Sequence, residues 1–346
     1  MCSSSSASLA PVITTRFTEL LGVRHPIVLG GMASVASAEL VAAVSNAGGL
    51  GICGTPLRAV GLPVDAEEAR AVVARIRELT TLPFGLNMLL FAFSDADVDA
   101  ILALRPHVFA TAWPTPATDL GSIARRAHAA GALYMHQVDR VDEAMRAARA
   151  GADIIVAQGT EAGGHVGLMA TLPLTRMVIR AVAPVPVLAA GGIADGEGIA
   201  AALTLGAEGV LLGTRFLATV EAPLPDSYKQ AIIASDGHDT ILSEIPDVAS
   251  GLIWPGAYAR ARHNAFIKEW SGREGELRRN RARVNTGLAA ARTRGDAEQG
   301  RLLMGQDAGL IDTIEPAGAL LERLATDAEF ALRRAAQLIR QVAPGS

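Results

Sequence analysis

One histidine stands inside a glycine-rich run. In VAQGTEAGGHVG, residues 156–167, His165 follows Gly163 and Gly164 and precedes Gly167, with Gly159 just upstream. Glycine loses more conformational freedom on folding than any other residue, so the cluster calls for a sharp turn or the close approach of another group. An imidazole there titrates near neutral pH and could act as a base or as a cation for an anion. Two more glycine-led turns are AAGGIADGEG, residues 189–198, and LGTRF, residues 212–216. Unencumbered backbone N–H groups at Gly191, Gly192 and Gly213, with Asp195 as a helix N-cap, suit a phosphate. His136 ends another apolar run and Gln306 lies in MGQDAG, so both are candidates for a substrate pocket. Glu161 reads as a loop-bonding or capping residue. Cys2 and Cys53 lack metal-ligand or disulfide spacing, and no Ser–His–Asp arrangement stands out; no metal is expected.

These residues need a scaffold. Short apolar runs begin near Ile27, Leu50, Phe84, His107, Ala132, Asp153, Val185 and Gly209, each bounded by Gly, Pro or polar residues. Between them lie amphipathic stretches such as AEEARAVVARIREL and DRVDEAMRAARAG. Eight successive βα units predict an α/β fold of (β/α)8 TIM-barrel type, whose functional face is the C-terminal end of the strands. The glycine turns after the seventh and eighth strands fall where this fold recurrently binds phosphate. The expected organisation is a disordered tail over 1–14, the barrel over 15–219, a helical insertion or subdomain over 220–315, and a C-terminal helix over 316–346 packing back on the barrel.

Composition narrows the partners. Half of the 346 residues are hydrophobic, 19% are charged and the formal net charge is −4, which argues against nucleic acid. The mixed-sign run REGELRRNRAR reads as a solvated helix face. The first residues lack a basic start and a long apolar segment, and no run is long enough to span a bilayer, so a cytoplasmic protein without a membrane partner is expected.

The segments HPIVLGGMASVASAELVAAVSNAGGLGICG, FGLNM, AQGTEAGGHVG, VLAAGGIADGEGIAAALTLGAEGVLLGTRFLAT and MGQDAGLI together resemble the FMN-dependent nitronate monooxygenases, formerly 2-nitropropane dioxygenases. The resemblance runs from Thr15 to Ile314. It implies FMN as cofactor, with Gly31, Met32, Ala33, Asn87, Gln158 and Gly164 bordering the flavin ring. It also implies Gly191, Gly192, Ile193, Gly213 and Thr214 on the phosphate, and His165 as the catalytic residue. After the fifth strand some members carry His-Lys where this chain has His136-Gln137, so Gln137 would offer the flavin a hydrogen bond but no charge. The implied reaction is oxidation of alkyl nitronates or nitroalkanes with O2 to a carbonyl compound and nitrite. An NAD(P)H-dependent FMN reductase of quinones or enoyl thioesters is the alternative on the same fold, and a non-catalytic barrel for another phosphorylated ligand a distant one.

Overall fold

The computed structural model describes residues 13–33, 35–55 and 63–339. Nearly all of the expected N-terminal tail therefore lies outside the described residues. In chain order the strands are β1 (Ile27–Ala33), β2 (Leu50–Gly54), β3 (Phe84–Leu89), β4 (Val108–Ala112), β5 (Leu133–Val138), β6 (Ile154–Gln158), β7 (Gly164–Val166), β8 (Val187–Ala190), β9 (Gly209–Leu212), β10 (Thr240–Ser243) and β11 (Tyr258–Arg262). Strands β1 to β6 with β8 and β9 form a closed barrel of parallel neighbours, sealed by pairing of β1 with β9. The expected (β/α)8 barrel is thus present, strand for strand.

Strands covered on both faces form continuous apolar runs, and β2 and β4 are buried throughout. Alternate side chains divide the core in two. Val28, Leu50, Ile52, Val108, Met135, Ile154, Val156 and Leu188 fill the barrel interior together with Phe17. Phe17 lies on the short helix Arg16–Leu21, so that helix plugs the lower end. Ile27, Leu29, Phe84, Phe109, Tyr134 and Ile155 point outward into the layer beneath the helices. The helices start where the sequence offers a cap: Ser37, Ser94, Asp119 and Asp195 each accept a hydrogen bond from the first helical turn. The closing helix, Ala317–Ala336, packs on Gly196–Leu205 and on Ala38–Asn46, which makes it the eighth helix of the barrel.

Between the last strand and that helix the chain leaves the barrel and returns to the same point. Thr219 bridges Glu315, and Arg215, 2% exposed, pairs with Glu315 at 3.0 Å. The excursion holds helices, as expected, and also two strands that the sequence reading did not include. Its helices have a small core of their own, built on Ile245, Ala249, Phe266, Ile267, Trp270 and Leu277. It also contributes β10 and β11, which join β7 in an antiparallel sheet of order β10-β11-β7. AYARARHN looks helical because Ala and Arg are good helix formers, but Tyr258–Arg262 is a strand with Ala259, Arg260 and Ala261 buried, paired to β10 on one side and β7 on the other. Pairing with β7 overrides propensity. The mixed-charge run does form helices, Glu274–Arg279 and Arg281–Arg294, with mostly exposed side chains.

Candidate active site

The C-terminal ends of the strands surround a cavity of about 410 Å³. Its barrel wall is largely backbone and amide. Gly30, Gly31, Met32 and Ala33 come from β1, Asn87 from β3, Gln137 from β5 and Gln158 from β6. Gly163, Gly164 and His165 follow β6, Gly191 and Ile193 follow β8, and Gly213 and Thr214 follow β9. The Gln137 amide donates to Gln158 Oε1 at 2.9 Å. Gly164 has φ +82° with open space where a Cβ would stand, and Gly191 has φ +101°. A side chain at either position would be strained by the backbone, and at Gly164 it would project into open space.

Two residues expected in the site are elsewhere. Successive strand side chains point to opposite faces. Gln137 on β5 faces the cavity, so His136 faces the helices. Its ring is fully buried, with Nδ1 2.7 Å from Thr111 Oγ1 and Nε2 3.1 Å from Glu143 Oε1. His136 is a structural residue of the outer layer, not a pocket residue. Gln306 is exposed and does not line the cavity; its backbone N–H donates to the Glu161 carbonyl at 2.9 Å. Gly192 also stands outside the lining, although its neighbours Gly191 and Ile193 belong to it. Glu161 does bond the loop: its carboxylate accepts from the N–H and hydroxyl of Thr171.

The opposite wall comes from the insertion, and sequence reasoning missed it. β11 pairs with β7 so that Ala259 stands opposite His165. That pairing places His165 Nε2 2.8 Å from Asp247 Oδ1, a partner 82 residues away. Both side chains are nearly buried, at 12% and 11% exposure. The imidazole also stacks on Trp254, with ring centroids 3.4 Å apart and planes 10° from parallel. Trp254 meets Trp113 edge-on, and its buried Nε1–H has no hydrogen-bond partner among the described residues. Trp113, at the end of β4, holds φ +56°, a strained conformation for a bulky residue. Leu252, Arg292, Arg301, Leu302 and Leu303 complete this side.

Asp307 lines the cavity beside Thr214 and is 6% exposed. Burial pushes its carboxyl up to about 7, opposed by the Thr214 hydroxyl and by Arg215. Cys53 is buried in β2, and desolvation pushes its thiol up to about 12, which leaves it inert. Among the described residues no cluster of His, Cys, Asp or Glu is placed to hold a metal, and no helix is long and apolar enough to cross a membrane.

The nitronate monooxygenase family model matches residues 14–103 and 92–327, most of the chain. This chain belongs to the nitronate monooxygenase family. It is a flavin-dependent oxidoreductase. A curated relative from Mycobacterium tuberculosis, named as a (3aS,4S,5R,7aS)-5-hydroxy-7a-methyl-1-oxo-octahydro-1H-indene-4-carboxyl-CoA dehydrogenase, is 33% identical and aligns over 94% of this chain and 99% of its own. A probable nitronate monooxygenase from Staphylococcus aureus is 30% identical over 89% and 96% of the two chains. Among solved structures, FabK from Thermotoga maritima is 34% identical with TM-score 0.82, covering 94% of this chain and all of its own. The barrel wall suits a flat ring: at Gly164 an added Cβ would meet nothing within 4 Å, and the amides of Asn87, Gln137 and Gln158, on the same cavity, can meet a polar edge.

Proposed function

We propose that the protein binds FMN and oxidises alkyl nitronates, and nitroalkanes after loss of a proton, with O2 to a carbonyl compound and nitrite. The observation that carries this reading is His165, fixed by Asp247 and Trp254 over a cavity walled by glycine backbone. Gly31, Met32, Ala33 and Gly164 would border the flavin, with Asn87, Gln137 and Gln158 bonding its heteroatoms. Gly191, Ile193, Gly213 and Thr214 would hold the phosphate, with Gly192 shaping that turn. The bound flavin supplies electron transfer and the reaction with O2.

The chain's own residues do the rest. A carboxylate can only accept, so Nε2 of His165 donates to Asp247 and Nδ1 is left to act. Toward a neutral nitroalkane, Nδ1 takes the α-proton and Asp247 stabilises the imidazolium that results. Toward a nitronate, already an anion, the protonated ring donates from Nδ1 to a nitro oxygen, a charge-assisted bond. The stack on Trp254 fixes the ring plane, and Leu252, Leu303 and Trp113 keep water from the reacting carbon. Gln137 would offer a bound flavin a hydrogen-bonding dipole but no positive charge.

The relative named as a carboxyl-CoA dehydrogenase supports a second reading, in which the same flavin site acts on a thioester. An NAD(P)H-dependent reduction of quinones or enoyl thioesters is the form that reading takes here. Anaerobic mixing separates the two. Rapid bleaching of the flavin absorbance by propyl-2-nitronate and slow bleaching by NADH would bear out nitronate oxidation. Bleaching by NADH alone would replace it with the reductase.

A further inference from the structure

Arg301 is a cation without a partner. It lines the cavity and is exposed to it, and its guanidinium makes no hydrogen bond or ion pair among the described residues. Asp247 is close enough to be felt, but that carboxylate is already bonded to His165. Arg292 lines the same wall and repels Arg301. Surrounding protein and this like charge both push the guanidinium pKa down, though far from neutralising it. A guanidinium that lines a cavity with its N–H donors unbonded is open to an arriving anion.

We infer that Arg301 is the anchor for the anionic group of the substrate, and that the group is a small planar oxyanion carrying a short apolar tail. The inference rests on the nitronate reading and deepens it. A guanidinium presents parallel N–H donors in a plane, which match two oxygens on one trigonal atom, as in a nitronate or a carboxylate. Leu252, Leu302, Leu303 and Trp254 line the same cavity and suit an alkyl group. Asp247 bears on both residues: it bonds His165 and its charge reaches Arg301, so the base and the anchor belong to one electrostatic unit. None of these positions is near the glycine turns after β8 and β9 in sequence; His165 comes from the loop after β6 and the others from the insertion.

The test is binding of sodium nitrate, a planar oxyanion that cannot turn over, to the flavin-loaded protein by titration calorimetry. Inorganic phosphate runs in parallel at the same ionic strength. The expected result is nitrate binding that weakens at least tenfold in Arg301→Met, recovers in large part in Arg301→Lys, and has no counterpart with phosphate. Arg301→Gln takes the place of the Met variant if that variant loses its flavin. Equal nitrate affinity in wild type and the charge-deleted variant would overturn the anchor. Binding of phosphate in preference to nitrate would do so too, and would favour a phosphorylated thioester tail. Because nitrate is not a substrate, this outcome is independent of nitronate turnover. A wild-type enzyme inert to nitronates that still binds nitrate through Arg301 would remove the reaction and keep the anchor.

Discussion

The two walls of the cavity are made differently. The barrel wall combines glycine backbone and three strand amides with small and apolar side chains such as Ala33, Ile52 and Met135, contributed by strands and turns that follow one another in chain order. The insertion wall is side chains: Asp247, Leu252, Trp254, Arg292 and Arg301. A wall of backbone can accept a flat, phosphorylated ring and distinguishes little else. A wall of side chains can differ in charge, size and acidity, and so sets which molecule meets that ring. On the proposed reading the cofactor would belong to one half and specificity to the other, joined at β7, where a barrel loop becomes a strand of the insertion's sheet.

Breaking the junction residue should have the largest effect. His165→Asn is expected to retain flavin absorbance and lose about 10²- to 10⁴-fold in kcat, the usual worth of a positioned acid–base group. Undiminished turnover would leave the two walls chemically unconnected. Asp247→Asn removes one charge from the insertion wall alone. The loss of a charge-assisted bond worth about 1.5–3 kcal/mol predicts a roughly 10- to 100-fold fall in kcat with nitroalkane, the proton-losing substrate. With preformed nitronate the fall should be smaller, and equal falls would assign Asp247 to packing rather than to proton transfer.

Gly163→Ala probes the contact between the walls. An added Cβ would stand 2.6 Å from the Gly305 nitrogen, where backbone meets backbone and cannot yield cheaply. The expected cost is about 1–3 kcal/mol in denaturant unfolding, with weaker flavin retention. A variant as stable as wild type would mean that the returning segment is not held against the loop. An effect confined to higher pH is expected at Asp307, beside Thr214. Its carboxyl is raised from 3.8 to about 7, so folding favours the neutral form. That contribution is fully present below the unfolded value and is lost as pH rises through about 7. Asp307→Asn should thus be more stable than wild type at pH 8, by at most a few kcal/mol at about 1.4 kcal/mol per pK unit. The advantage should vanish near pH 4. Parallel unfolding curves across that range would show the burial to be without consequence.

The same division explains what could be read from the chain alone. The eight strands and their turns are local and periodic, so runs such as IVLGG and DIIVAQG marked them, and Asp195 marked the helix it caps. The glycine cradle was legible because glycine is needed only where backbone is crowded or strained. His136 was misread because its place at a strand end outweighed the two-residue alternation that puts Gln137 in the cavity; parity carried the answer. Asp247, Trp254 and Arg301 had no such signal. A carboxylate in SEIPDVAS becomes the partner of His165 only after β11 pairs with β7, and nothing local encodes that register. The strain at Trp113 is likewise a product of packing, at a residue that the run HVFATAW left unremarked.

The central claim is that a flavin lies on the glycine wall with His165 and Arg301 on its open face. A crystal structure of the flavin-loaded protein soaked with nitrate tests it most directly. The account predicts FMN with its phosphate at Gly191, Ile193, Gly213 and Thr214, its ring against Gly31 and Gly164, and nitrate between His165 and Arg301. A ring seated against the insertion wall instead, or a phosphate held by Arg292 and Arg301, would contradict it.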